Sequence, residues 1–230
     1  TWARQPLRSD WFDDPSPSSS DCSPLAPTRT RGAILIELVT LTDQHQRFDC
    51  LSGWPQPGMT RSLRLYRNGS LIGTSPQNFG DFPVPAGPGD FRLAFDVGTG
   101  PTIGTPARIS SEWAFRSTGP SGTGTQPLPL LSVDYELPLD PANHPVAGPA
   151  LFDVRQAVGV KAQQITSFQL WTSLDDGATW QPATVSRTGN GRYSATLPTP
   201  AAGQAVSLRV AAAGSAGSRI TQTVIAAYRA

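Results

Sequence analysis

Short apolar stretches with a two-residue period, separated by turn residues, constrain the fold of this chain more than any other feature. In these stretches apolar side chains alternate with polar ones, and the 3.6-residue period of a helix is absent almost everywhere. The 22 glycines and 23 prolines are spread along the whole length, as expected for many short strands joined by turns. The pattern therefore predicts an all-β chain.

The second half of the chain has the most regular strand pattern. Strands are predicted at 128–137, 150–158, 165–174, 179–187, 191–198, 205–213 and 219–228. Seven short strands within about 100 residues are typical of an immunoglobulin-like or fibronectin-like sandwich. We therefore expect a β-sandwich of this kind in the second half.

The first half is predicted to form another sandwich-like unit. Strands are expected at 33–41, 90–97 and 111–117. A hairpin is expected in "LRLYRNGSLIG", residues 63–73, because Asn68 and Gly69 supply the positive φ that both central positions of a type I′ turn require. Asn68-Gly69-Ser70 also matches the N-glycosylation sequon, although the turn explains the same letters.

A stretch of small residues marks the predicted domain boundary. Residues 117–127, "STGPSGTGTQP", offer no side chain suited to a core, which is the composition of a linker. At 230 residues the chain is long enough for two ordinary domains. We predict two β-sandwich-like domains in tandem. They comprise residues 1–120, with an extended N-terminal arm over 1–30, a linker over 121–127, and residues 128–230.

Charge and hydropathy bear on the possible partners. The sequence contains 18 Lys and Arg against 17 Asp and Glu without a block of like charge, so neither nucleic acid nor an anionic membrane surface is predicted as a partner. No apolar run approaches the roughly 20 residues of a transmembrane helix. The first residues lack the basic start and apolar run of a signal peptide, so we expect a mature or excised sequence.

The two cysteines, Cys22 and Cys50, allow a single pairing. A bridge between them would close a loop of about 29 residues, which the chain-entropy model values at roughly 3 to 4 kcal/mol. Neither cysteine has the spacing of a metal or redox site, so we predict a disulfide, with two reduced thiols as the alternative. A disulfide indicates a location outside the cytoplasm.

Residues that could carry catalysis are few. His45 and His144 lie in polar or proline-rich loops without a metal-ligand partner four residues away, so we expect both to be exposed to solvent. The acidic pair Asp13-Asp14 lies in a Ser/Pro-rich arm, where a fixed catalytic separation is hard to maintain. A nucleophile elbow and a phosphate-binding loop are both absent from the sequence. We predict no enzymatic activity, with a hydrolase triad around either histidine as the remote alternative.

The stretch "SLDDGATW", residues 173–180, contains the pattern S-x-D-x-G-x-T-W of the Asp-box turn motif. The pattern residues are Ser173, Asp175, Gly177, Thr179 and Trp180. The short polar side chains of Ser173 and Asp175 can bond backbone N–H groups, Gly177 can adopt a positive φ, and Trp180 can fold over an apolar face. We predict a structural hairpin turn, with contact to a ligand or Ca²⁺ as the alternative.

Five segments, taken in order, resemble a known family. They are "LRLYRNGSLIG", "EWAFRS", "LPLLSVDYELPLD", "FQLWTSLDDGATWQPA" and "SLRVAAAGSAGSRITQTVIAAY". The series resembles the C-terminal, non-catalytic region of large secreted subtilisin-like serine peptidases of the S8 type from actinobacteria. It covers roughly residues 60–229, and its specificity lies in the order of the segments.

The resemblance implies a secreted, extracellular protein with a subtilisin-like catalytic domain before Thr1. The family's catalytic Asp, His and Ser signatures have no counterpart in this sequence, so no catalytic residue is carried over. Relatives tend to carry D-x-x-G-N before the final strand, whereas residues 214–218 here read "GSAGS", which removes oxygen ligands for Ca²⁺. No cofactor is therefore predicted.

The expected role is to stabilise the catalytic domain or to present protein substrate. A carbohydrate-binding or cell-surface adhesion module is the alternative, because the rings of Trp54 and Trp180 could stack on sugars if they were exposed. For both residues, packing in the core explains the same letters.

Overall fold

Strands account for all the regular structure in the computed structural model, which describes residues 27–38, 58–99, 108–140, 144–157 and 159–230. The strands are β1 (Thr28–Arg29), β2 (Ala33–Glu37), β3 (Thr60–Arg67), β4 (Ser70–Ser75), β5 (Phe79–Pro83), β6 (Gly89–Gly98), β7 (Arg108–Ser117), β8 (Gln126–Pro127), β9 (Leu131–Glu136), β10 (Ala150–Gln156), β11 (Ile165–Ser173), β12 (Gln181–Ala183), β13 (Val185–Arg187), β14 (Arg192–Ala195), β15 (Ala205–Gly214) and β16 (Arg219–Arg229). The predicted all-β fold is confirmed. Across these ranges, no helix has the length and apolar character needed to span a membrane.

The strands form three sheets in which neighbouring strands run antiparallel. The largest, here called the shared sheet, has eight strands in the order β12-β11-β15-β16-β7-β6-β3-β4. The N-terminal sheet has the order β5-β2-β1-β8, and the C-terminal sheet has the order β13-β14-β10-β9. Each half of the chain thus supplies four strands to the shared sheet.

The shared sheet is continuous across the predicted linker. Its two halves meet where β16 pairs with β7, in a register that runs from Arg219 opposite Ala114 to Val224 opposite Ile109. Within the predicted linker, 121–125 are exposed while β8 pairs with β1. Two separate domains in tandem are therefore not confirmed, because the halves are joined by main-chain hydrogen bonds, and the domain boundaries stay a prediction.

Each small sheet packs against its own half of the shared sheet. In the second half, Phe168 of β11 lies between Phe152 of β10 and Tyr193 of β14, with ring centroids 5.4 and 4.4 Å away. In the first half, Arg29 of β1 lies over the ring of Phe91 of β6, 5.0 Å from its centroid. The buried apolar residues of both halves form one cluster.

Alternation along the strands decides which face is buried. In β7, Ile109, Ser111, Trp113 and Phe115 are buried, while the residues between them face outwards. A one-residue shift in register would turn this set to solvent, so burial fixes the pairing of β7 with β6 and β16. The outward side chains lie on what we call the outer face of the shared sheet, opposite the core.

The hairpin predicted at Asn68-Gly69 joins β3 and β4. Asn68 has φ 48° and Gly69 has φ 86°, the two positive values that a type I′ turn requires. The Asn68 N–H donates to the Asp90 carbonyl at 2.8 Å, and the Asp90 N–H donates to Asn68 Oδ1 at 3.0 Å. The turn is therefore bonded to the start of β6.

Arg29 is a buried charged residue that fastens the end of β7. Its side chain is completely buried, and Nη1 donates to the Ser117 carbonyl at 2.6 Å. Nη2 donates to the carbonyls of Gly87 at 2.6 Å and Pro85 at 3.3 Å. Burial lowers the pKa of Arg29, and the nearby charge of Arg67 lowers it further. The guanidinium thus ties three chain segments together through carbonyl oxygens.

Apart from shifts of one to four residues at strand ends, as at β9 and β14, the observed strands differ from the predictions in two respects. The predicted strand 179–187 is divided at Thr184, since β12 belongs to the shared sheet and β13 belongs to the C-terminal sheet. Three strands were not predicted: β1, β5 and β8. These are short or glycine-containing, and a two-residue strand has no measurable alternation.

Candidate functional site

The turn between β11 and β12 contains the motif that the sequence singles out. Ser173, the last residue of β11, is buried, and its hydroxyl is the centre of the turn. Ser173 Oγ donates to Asp175 Oδ1 at 2.6 Å and accepts the Gly177 N–H at 2.9 Å. It also accepts the Asp175 N–H at 3.3 Å. The Ser173 hydroxyl therefore bonds both Asp175 and Gly177, the residues on either side of Asp176 in the turn.

The carboxylate of Asp175 closes the other side of the turn. Asp175 Oδ1 accepts the Thr179 N–H at 2.9 Å, and Oδ2 accepts the Thr179 hydroxyl at 2.6 Å. The hydrogen bond from Ser173, followed by those from Thr179, lowers the pKa of Asp175 from 3.8 to about 2. A carboxylate with so low a pKa is a weak base near neutral pH, and both of its oxygens are already hydrogen-bonded.

Two consecutive residues in the turn have positive φ. Asp176 has φ 54° and Gly177 has φ 88°. A Cβ on residue 177 would lie 2.7 Å from Ile225 Cδ1 and 3.1 Å from Trp180 Cζ2. Glycine is therefore required at 177 by the backbone conformation and by the packing of two side chains above it.

Trp180 is half-buried and contacts a charged group. The Arg209 guanidinium carbon lies 4.1 Å from the centroid of the indole, which is the geometry of a cation–π contact. Sequence reasoning expected Trp180 to fold over an apolar face. The structure brings it onto Gly177, next to Ile225, and under Arg209.

Metal-binding groups were considered at two turns. Among the residues that the structure describes, no three His, Cys, Asp or Glu side chains lie together in a way that could hold a metal ion. In the turn 214–218, the Ala216 N–H donates to Gln163 Oε1 at 2.8 Å, and the Gly214 N–H donates to the Ser218 carbonyl at 2.8 Å. The backbone N–H groups of this turn are thus bonded to protein oxygens, both within the turn and on Gln163.

His144 lies in an exposed loop, as the sequence predicts. Its Nδ1 is 3.4 Å from Asp140 Oδ2, and its backbone N–H donates to Asp140 Oδ1 at 2.8 Å. The contact joins neighbours in one loop, where Leu139 and Pro145 form an isolated bridge. The other candidates Cys22, Cys50, His45, Trp54 and the pair Asp13-Asp14 lie outside the described residues.

A buried polar chain joins the two halves, and sequence reasoning did not identify it. The Tyr135 hydroxyl of β9 donates to Gln222 Oε1 of β16 at 2.9 Å, and Gln222 Nε2 donates to Ser111 Oγ of β7 at 2.8 Å. Beside it, Trp113 Nε1 donates to the Leu131 carbonyl at 2.7 Å. Burial, and secondarily the charge of Asp134, raises the pKa of Tyr135. The phenol therefore stays a neutral donor.

Signals for this chain of hydrogen bonds are present in the sequence. Gln222 occurs between Ile220 and Val224, in phase with the buried positions of β16, and it is 1% exposed. A buried amide needs partners, so a polar residue in an apolar phase predicts a polar neighbour on another strand. The identity of that neighbour depends on which strands pair, which local patterns do not specify.

Comparison with known proteins gives no family for this chain. No protein-family model matches the sequence, and no curated protein sequence matches it. The class that the structure defines is an all-β, sandwich-like protein.

Proposed function

We propose that this chain is a non-catalytic accessory region of a secreted subtilisin-like serine peptidase. In this role it stabilises the catalytic domain or presents protein substrate to it. The observation that carries the proposal is the position of the five segments that resemble this family. Four of them supply seven of the eight strands of the shared sheet. The remaining segment, "LPLLSVDYELPLD", supplies β9, whose Tyr135 is hydrogen-bonded to that sheet.

The joint between the halves falls within the same segments. Trp113 belongs to "EWAFRS", Leu131 and Tyr135 to "LPLLSVDYELPLD", and Gln222 to the last segment. The resemblance therefore lies in residues that join the two sandwich-like halves of the chain. Halves that are joined by main-chain and side-chain hydrogen bonds suit a module that fixes the position of another domain or a substrate.

The Ser173–Trp180 turn supports a structural role over catalysis. The carboxylate of Asp175 is bonded to Ser173 and Thr179, both within the turn. A catalytic base or nucleophile needs an oxygen free to meet substrate. The turn instead stabilises the hairpin of β11 and β12, which lies at one edge of the shared sheet.

The reading frame around this chain gives the first test. We expect it to encode, before Thr1, a domain with the Asp, His and Ser signatures of subtilisin-like peptidases. A reading frame without such a domain would overturn the proposal. The isolated chain should also remain unlabelled by a fluorophosphonate probe, whereas labelling that heat denaturation abolishes would contradict a non-catalytic role.

Comparison of the whole peptidase with a version truncated before Thr1 separates the two roles. If the chain stabilises the catalytic domain, truncation shortens the half-life at raised temperature and leaves turnover of a small chromogenic peptide unchanged at low temperature. If it presents substrate, truncation lowers kcat/KM on casein while the small peptide is turned over as before. Truncation without effect on either quantity would exclude an accessory role.

Carbohydrate binding has less support among the described residues. A sugar stacks on an open aromatic face, whereas Arg209 already covers one face of Trp180. Retention on insoluble polysaccharide, lost in a Trp180→Leu variant, would favour the carbohydrate-binding alternative.

A further inference from the structure

The outer face of the shared sheet has two regions that differ in how their arginines are paired. In the first half, Arg92 bonds Glu112 at 2.8 Å and Arg116 bonds Asp90 at 2.9 Å. Arg64 likewise bonds Asp96, which also accepts the Ser110 hydroxyl. Each of these arginines therefore has a carboxylate partner on a neighbouring strand.

Arg209 in the second half is paired differently. Its guanidinium lies on the indole of Trp180, and its Nε donates to Thr223 Oγ1 at 3.2 Å. Within the described part of the chain, no hydrogen bond or ion pair involves its two Nη groups. The strands β11, β12, β15 and β16 contain no Asp or Glu, although they contain three arginines. The strands of this region therefore carry only positive charge, whereas the turn between β11 and β12 contributes the exposed carboxylates of Asp175, which is bonded to Ser173 and Thr179, and of Asp176.

The neighbours of Arg209 form a surface with an apolar and a polar part. Trp171 on β11 and Thr223 on β16 lie directly opposite Arg209 in the antiparallel registers, one on each side. We call Trp171, Trp180, Arg209 and Thr223 the Arg209 patch. All four residues are half-buried, so the patch is accessible but partly shielded from water.

The Arg209 patch has the chemistry that recognises a carboxylate. A guanidinium presents paired N–H donors in a planar fork that matches the two oxygens of a carboxylate. Stacking on Trp180 and the bond to Thr223 hold that fork in one orientation, so less conformational freedom is lost on binding. Trp171 offers an apolar surface beside it. We propose that the Arg209 patch binds the carboxylate of an acidic peptide segment that also carries an apolar side chain.

This inference deepens the proposed function, because it assigns a chemical class to the protein substrate that the chain would present. Its test requires no catalytic domain. A failure of peptide binding would therefore leave the reading-frame and truncation experiments unaffected, and a failure of those experiments would leave peptide binding intact.

Fluorescence anisotropy with labelled hexapeptides tests the proposal. The probe alternates glutamate and leucine and has an amidated C-terminus, and the control peptide replaces each glutamate with glutamine. A third peptide combines glutamine with a free C-terminal carboxylate, which separates side-chain from terminal carboxylates. We expect the chain to bind a carboxylate-bearing peptide at least about tenfold more tightly than the amidated glutamine peptide. The reason is that the amidated glutamine peptide cannot form the charged hydrogen-bond pair with Arg209.

Two arginine variants provide the matched comparison. Arg209→Met should reduce binding to the level of the glutamine peptide, whereas Arg219→Met removes the same charge from the same face and should change the affinity by less than about twofold. Arg209→Lys keeps the charge without the fork and should bind with intermediate affinity. Far-UV circular dichroism and the thermal midpoint of each variant verify folding.

Three results would overturn the proposal. They are equal binding of all three peptides, an unchanged affinity in folded Arg209→Met, and an equal loss in Arg209→Met and Arg219→Met. The last result would mean that net charge alone attracts the peptide. If Arg209→Met does not fold, Arg209→Lys decides by the same criteria.

Discussion

The turns at Asn68-Gly69 and Asp176-Gly177 have nearly the same φ angles and very different surroundings. In the first, φ is 48° and 86°, and in the second it is 54° and 88°. Both therefore use a short polar residue followed by glycine in the left-handed region. A Cβ on Gly69 would meet nothing within 4 Å, whereas one on Gly177 would meet Ile225 and Trp180. The positive φ angles are thus shared, while packing distinguishes the two turns.

Side-chain bonding also separates the turns. Asn68 makes its side-chain bond to Asp90, on a neighbouring strand. Asp175 makes its bonds to Ser173 and Thr179, which lie within the turn itself. A two-residue turn needs only the positive φ values, while the longer turn needs a network of its own to define its shape.

Replacement of Gly177 by alanine should produce the largest effect. The positive φ and the close approach of Ile225 Cδ1 add together, so we expect a loss of about 2–4 kcal/mol in the free energy of unfolding. Urea denaturation measures this loss. In a double variant, Ile225→Val removes the nearest atom and should recover part of it, and strictly additive losses would show that packing contributes nothing.

Replacement of Gly69 by alanine isolates the backbone cost. Open space surrounds this position, so only the positive φ opposes alanine, and we expect a loss of about 1–2 kcal/mol. The same urea titration applies. A loss equal to that of Gly177→Ala would contradict the distinction between the two turns.

The Asp175 network should make stability depend on pH. Its pKa is lowered from 3.8 to about 2 on folding, so its contribution is complete above the unfolded value and is lost as pH falls from 3.8 towards about 2. Asp175→Asn removes this contribution. We expect the difference in thermal midpoint between wild type and variant to shrink across that range, and a difference independent of pH would contradict the assignment. Asn68→Ala serves as the control, because it should show no such trend.

The smallest effect is expected for Asn68→Asp. Aspartate tolerates the left-handed conformation and retains an oxygen that accepts the Asp90 N–H. The added charge lies near Asp90 in solvent, so we expect a change within about 0.5 kcal/mol by urea denaturation. A loss as large as that of Gly69→Ala would mean that the Asn68 amide group is required.

Local sequence patterns specified the strands and both turns better than the pairing between distant strands. The Asn68-Gly69 and Asp176-Gly177 pairs are readable because the backbone conformation depends on the residues themselves. The pairing of β7 with β16 brings Ser111 next to Gln222, although the two residues are 111 positions apart in the sequence. The local pattern of either strand does not specify the other strand as its partner. A linker composition at 117–127 is likewise compatible with a continuous sheet, because the two halves are joined by the pairing of β7 with β16.

At the candidate site, the bonds of Ser173, Asp175 and Thr179 follow from a motif, whereas the Arg209 contact does not. Arg209 lies 29 residues after Trp180, on a strand whose position over the turn is set by the pairing of β15 with β11. Alternation predicts that Arg209 faces outwards. Its stacking on an indole depends on tertiary packing.

Twist is a general property of β-sheets, and in a sheet of eight strands it affects how the outer face meets other molecules. Neighbouring strands in β-sheets are rotated by roughly 20–25° on average, so the four steps from β15 to β3 would add up to about 80–100° at that average. With such a twist, Arg209 and the Arg64–Asp96 pair face different parts of the surroundings. A flat partner lying on Arg209 would leave the paired charges of the first half in solvent, and a single chain could face two neighbours at once.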